Sequence, residues 1–172
     1  MDGVIADFMA EYRPLQAQHR TVDWTEADKR LFATAVEGGI FSRLPKMADA
    51  NVLLEGLERF KKEYDLEVQV LTSVGTDNAE RGAMAASQKR AWLIEHGIDY
   101  KPNFVTRKKE KSLYATRDSI LIDDSWGCID PFHNAGGVVI HHKSATETLI
   151  QLDKKLRLLK YETAWLTNRF IV

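Results

Sequence analysis

Three short apolar runs, each closing on polar residues, constrain this chain more than any other feature. Leu66 to Leu71 (LEVQVL) leads into Thr72-Ser73, Ser119 to Ile122 (SILI) into Asp123-Asp124, and Gly137 to Ile140 (GVVI) into His141-His142. Runs this short and this rich in Val, Ile and Leu read as buried strands rather than helices. Helical patterns lie between them. Asp49 stands as a cap before a stripe of Leu53, Leu57, Phe60 and Tyr64. The stretch Asn78 to His96 carries Met84, Trp92 and Leu93 and stops at Gly97, and Ser144 opens a helix through Leu149, Leu152, Leu156 and Leu159. Strands alternating with helices predict a doubly wound α/β fold, a parallel sheet covered on both faces. Ligands of such sheets bind at the carboxyl ends of the strands, where the three polar terminations fall.

A chain of 172 residues is long enough for one core with a small insertion. Residues 9–47 read as that insertion, a helical cap. Asp23 before Trp24, then Leu31, Phe32 and Ala35, then Gly38-Gly39 as a stop, give a helical pattern with no strand signal. The core is then residues 1–8 and 48–172. The tail from Tyr161 to Val172, with Trp165 and Phe170, is expected to pack on the body at a place its sequence does not give.

Lys+Arg 24 against Asp+Glu 25 gives a formal charge of -1. That balance lacks the broad basic field used to bind nucleic acid polymers, but leaves room for a small anion held by local cations. One cysteine, Cys128, excludes a disulfide framework and a cysteine-rich zinc site, and the five histidines lack zinc-site spacing. With no membrane-length apolar run and no signal peptide, the expected location is the cytoplasm.

Four features in chain order can carry chemistry. Asp2-Gly3 is by itself a turn signal. Thr72-Ser73 either caps a helix or offers hydroxyl and amide donors to phosphoryl oxygens. Lys111 lies in the charged run KKEKSLYA, where a lysine commonly marks a solvated face. Asp123-Asp124 sets two carboxylates side by side, which repel and need a cation or donors. Magnesium takes such hard oxygen ligands from one or two carboxylates, water and phosphate.

The opening MDGVIADF resembles the first motif of haloacid dehalogenase phosphatases, DxDGVxADF, with Asp2 at the second aspartate, the general acid/base. Thr72-Ser73 matches the second motif, Lys111 the third (Lys109 is the near alternative), and Asp123-Asp124 the acidic pair that holds Mg2+. The resemblance implies that the carbonyl of Asp2 shares in that metal site. The order of carboxylate, hydroxyl, lysine and acidic pair sets it apart from response-regulator receivers, which place the acidic pair first. ADF at Ala6 to Phe8, LTS at Leu71 to Ser73, QKRAW at Gln88 to Trp92, LIDDS at Leu121 to Ser125 and FSRLPKMADAN at Phe41 to Asn51 resemble the 5'(3')-deoxyribonucleotidase branch. That branch implies hydrolysis of nucleoside monophosphates through an aspartyl phosphate, with Phe8 facing the nucleoside and Lys89 contacting phosphate. Trp24 and Phe41 are candidates for the base-facing aromatics, and a homodimer is left open.

In the family the nucleophilic aspartate and the central first strand come immediately before the position of Met1. A second reading is therefore a non-catalytic relative that keeps the pocket and binds a nucleotide or a protein partner. On the first reading, the chain beginning at Met1 does not turn over, and the gap left by the first strand lowers stability. Joining an apolar strand ending in Asp ahead of Met1 is expected to give magnesium-dependent phosphatase activity, and Asn in place of that Asp to abolish it. Assays of both extended chains check this, and robust turnover by the unextended chain that survives purification would overturn the assignment.

Overall fold

The computed structural model describes residues 1–19, 26–162 and 169–171. Asp7 accepts a hydrogen bond from the Ala10 amide at 3.0 Å, capping helix α1 (Phe8–His19). Helix α2 (Glu26–Glu37) runs out at Gly38-Gly39, and Gly39, at φ 78°, leads into a 3-10 turn, Ile40–Ser42. Helix α3 (Ala50–Tyr64) buries Leu53, Leu57 and Phe60 and ends on Asp65 in the left-handed region. Strand β1 (Glu67–Ser73) follows. Asn78 accepts from the Arg81 amide at 2.8 Å and starts helix α4 (Ala79–Glu95). The remaining elements are β2 (Lys101–Val105), a 3-10 segment (Lys108–Tyr114), β3 (Ser119–Asp123), α5 (Trp126–Asn134), β4 (Val138–His141), α6 (Ala145–Glu162) and β5 (Arg169–Ile171).

The strands form one parallel sheet in the order β2-β1-β5-β3-β4. All three apolar runs are strands, and the first extends through Thr72 and Ser73. Alternation along each strand divides the buried side chains between two faces. Val70 and Ile122 join a cluster with Leu53, Leu57, Leu152 and Leu156 of α3 and α6. Leu71 and Leu121 join Cys128 and Phe132 of α5 and Tyr114 of the 3-10 segment. The protein is thus mixed α/β with a parallel sheet covered on both sides.

Two expectations change, and the sheet holds one strand with no apolar run to announce it. The gap expected in the sheet is not there: β5 lies at its centre, with Phe170 in register with Val68 on one side and Ile120 on the other. Asp49 does not cap its own helix; its carboxylate accepts from the Ala145 amide at 2.6 Å and caps α6 instead. Strand β2 gave no apolar run because it carries Pro102 and Asn103, which an edge strand tolerates. Trp24 and Trp165 lie outside the described residues. Among the described residues no helix is long and apolar enough to cross a membrane.

The central place of β5 is testable. Phe170→Pro removes a ladder donor between two strands. Amides of both β1 and β3 are then expected to lose hydrogen-exchange protection together, with a lower urea midpoint; unchanged protection in either strand would count against this topology.

Candidate functional site

The chain opens in a tight turn whose hydrogen bonds converge on one carbonyl. Met1 O accepts from the amides of Val4, Ile5 and Ala6 at 3.2, 2.9 and 3.2 Å, while the Gly3 amide bonds Ala6 O at 2.8 Å. Gly3 sits at φ 73°, and a Cβ there would run into the Asp124 carboxylate. Only glycine meets both demands. The turn thereby brings Asp2 beside the ends of β1 and β3.

Lys111, from the 3-10 segment, reaches the Asp123 carboxylate at the end of β3 at 2.6 Å. Both are buried, at 5% and 3% exposure. Burial by itself would push the Asp123 carboxyl up and the Lys111 amine down; their attraction overrides it in both, so Asp123 lies below its ordinary value and Lys111 above. The other Asp123 oxygen accepts from the Ser125 amide at 2.9 Å. Asp124 has no such support: burial first, then the neighbouring Asp123 charge, raises its carboxyl. Met1 is buried at the same point.

Lys89 comes from α4 and is 0% exposed. It pairs with Asp2 Oδ2 and donates to Thr72 Oγ1 at 2.9 Å and Ser73 O at 3.0 Å. Ser73 Oγ donates to Thr106 O at 2.8 Å and accepts from the Gly75 amide at 3.1 Å. Asp2 Oδ1 is buried without a partner.

These strand ends open on a cavity of about 1500 Å³. Asp2, Thr72, Ser73, Lys111, Asp123 and Asp124 all line it, and so does Phe8; Lys89 and Lys109 do not. Phe8 belongs to an aromatic cluster, stacked on Tyr12 at 4.9 Å and on Phe41 at 5.6 Å, with Phe32 at 6.3 Å. Phe41 and Phe32 also line the cavity. Sequence reasoning passed over Phe32 as part of a helical stripe, and over Lys108, whose ammonium reaches Ser125 Oγ at 3.2 Å. Nothing in the spacing separates such residues from core or solvated neighbours. Cys128 lines the same wall, but burial raises its thiol to about 11, which removes it as a thiolate nucleophile near neutral pH. The third polar termination stays out of the cavity. His141 Nε2 contacts Asp124 O at 3.0 Å, and His142 bonds Thr148 at 2.8 Å.

Among the described residues no three His, Cys, Asp or Glu side chains gather as a metal site. The acidic pair is nonetheless suited to a hard cation: Asp124 has no cationic hydrogen-bond partner among the described residues, and its carboxylate occupies the space a Gly3 side chain would fill. No protein-family model, curated protein or solved structure matches this chain.

The buried pair predicts a stability signature. Lys111→Met leaves Asp123 uncompensated and is expected to cost about 3–5 kcal/mol in urea unfolding, whereas Lys109→Met, at an exposed position, stays within about 0.5 kcal/mol. Because the folded Asp123 value lies below 3.8, its contribution is complete above that pH and is lost as pH falls through the lowered value. Asp123→Asn is expected to flatten that acid limb; an unchanged limb would assign it to other carboxylates.

Proposed function

We propose that this chain is a magnesium-dependent phosphomonoester hydrolase of the haloacid dehalogenase type, acting on nucleoside monophosphates through an aspartyl phosphate. The observation that carries the reading is convergence. Asp2, Thr72, Lys111 and Asp123-Asp124, dispersed over most of the chain, line one cavity at the carboxyl ends of parallel strands. The two covered faces of the sheet support a doubly wound core, and α1 and α2, inserted between the Asp2 turn and α3, support a small helical cap.

In this reading the nucleophile is a carboxylate joined ahead of Met1, whose buried nitrogen lies in the fields of Asp2, Asp123, Lys89 and Lys111. That carboxylate attacks phosphorus as the ester P–O bond breaks, and Asp2 gives its proton to the departing nucleoside oxygen. Asp2 then takes a proton from water as the water oxygen attacks the acyl phosphate, releasing phosphate and restoring the carboxylate. Asp123, Asp124 and the Asp2 carbonyl would hold Mg2+, which supplies charge neutralisation for the phosphoryl oxygens. Lys111 adds a point charge, and Thr72-Ser73 adds donors at the rim. Phe8, with Phe32 and Phe41 beside it, offers an apolar wall to a nucleoside.

A panel of nucleoside monophosphates with magnesium, assayed for phosphate release on the chain carrying Asp ahead of Met1, tests the reaction. Asp124→Asn is expected to reduce both turnover and the magnesium-dependent thermal shift. Phe8→Ala is expected to weaken nucleotide binding by about 1–3 kcal/mol, the scale of base stacking on an aromatic, while leaving inorganic phosphate affinity unchanged. Binding without turnover by the extended chain would favour a non-catalytic nucleotide binder.

A further inference from the structure

The site contains two buried lysines, and they stand in different relations to the cavity. Lys111 lines it; Lys89 does not. An ammonium carries three hydrogens and no acceptor. Those of Lys89 meet three protein acceptors: Asp2 Oδ2, Thr72 Oγ1 at 2.9 Å and Ser73 O at 3.0 Å. Its remaining side faces the Phe41 ring, 4.2 Å from the centroid. A phosphate oxygen could reach this ammonium only by displacing an acceptor that burial makes expensive to leave unpaired.

We propose that Lys89 is a positioning residue that fixes the Asp2 carboxylate against the end of β1, and is not a ligand of the anion in the cavity. Its grip is on Oδ2, which leaves Oδ1, buried and without a partner, as the oxygen able to carry a proton. A carboxylate on a short side chain at a turn has two free torsions; the ion pair removes them and sets the orientation of Oδ1. Helix α4 makes the hold rigid. One residue before Lys89, Gln88 bonds Val36 O at 2.7 Å and accepts from the Phe41 amide at 3.2 Å. Three residues on, Trp92 donates to Leu44 O at 2.7 Å. The assignment of Oδ1 as the proton carrier rests on the hydrolase reading; the positioning of Asp2 does not.

Lysine-selective 15N NMR on the full chain separates the two. The Lys89 ammonium signal is expected to be protected from hydrogen exchange, to shift on Asp2→Asn, and to stay unmoved when inorganic phosphate and magnesium are added. The Lys111 signal is expected to move on that addition. A Lys89 signal that follows phosphate as Lys111 does, or one indifferent to Asp2→Asn, overturns the proposal. If neither lysine responds to phosphate, the hydrolase reading fails while the response to Asp2→Asn still decides the role of Lys89. Thermal unfolding supplies a second measure: the Tm losses of Asp2→Asn and Lys89→Met are expected to be strongly non-additive in the double variant, and additive losses would overturn the pairing. Should Lys89→Met alone not fold while the double variant does, the coupling is shown in that form; should both fail, Lys89→Arg replaces Lys89→Met in the cycle with the same two outcomes.

Discussion

An ammonium and a carboxylate buried 2.6 Å apart, Lys111 and Asp123, hold the carboxyl end of the sheet together. Neither charge could stay there alone, because desolvation of either one exceeds what a surface ion pair returns. Together they fix the 3-10 segment to the end of β3 and set the turn at Ser125. They also leave Asp124 beside the Asp2 turn with no comparable partner. The two neighbours therefore differ: Asp123 is paired within the protein, and Asp124 has no cationic hydrogen-bond partner among the described residues.

The second pair, Lys89 with Asp2, ties the opening turn to β1 and α4. Helix α4 is gripped on the same face by Val36, Phe41 and Leu44. Helix α4 thus ties α2 and the 3-10 turn to the core, and the aromatic cluster around Phe8 is held against the polar strand ends. Polar and apolar walls of one cavity follow from a single packing arrangement, in which each lysine stem crosses apolar surface to reach its carboxylate.

The centre of the sheet depends on a segment far from it in the chain. Strand β5 is three residues long, yet it pairs with β1 and β3 at once and supplies partners that their inner edges would otherwise lack. A parallel sheet buried on both faces cannot leave such edges unpaired. A late strand thus holds the middle of this sheet, and the charged site forms at the carboxyl ends of its neighbours β1 and β3.

The sequence by itself determined the apolar runs of β1, β3 and β4, the helical stripes of α3, α4 and α6, and the start of α4 near Asn78, because periodicity is local. It also marked Asp2, Thr72, Lys111 and Asp123-Asp124 as chemically interesting in a meaningful order. Tertiary structure decided the rest. An edge strand with Pro102 and a central strand of Arg169–Ile171 carry too little pattern of their own, since partners rather than propensity make them strands. Asp49 reads as the cap of α3 and serves α6, because the amide it satisfies is distant in sequence and close in space. Of the two lysines Lys109 and Lys111 in one charged run, the fold buries only Lys111 against Asp123. Spacing could not reveal that Lys89 faces Asp2 and not the cavity, because a lysine's reach is set by the residues packed around its stem.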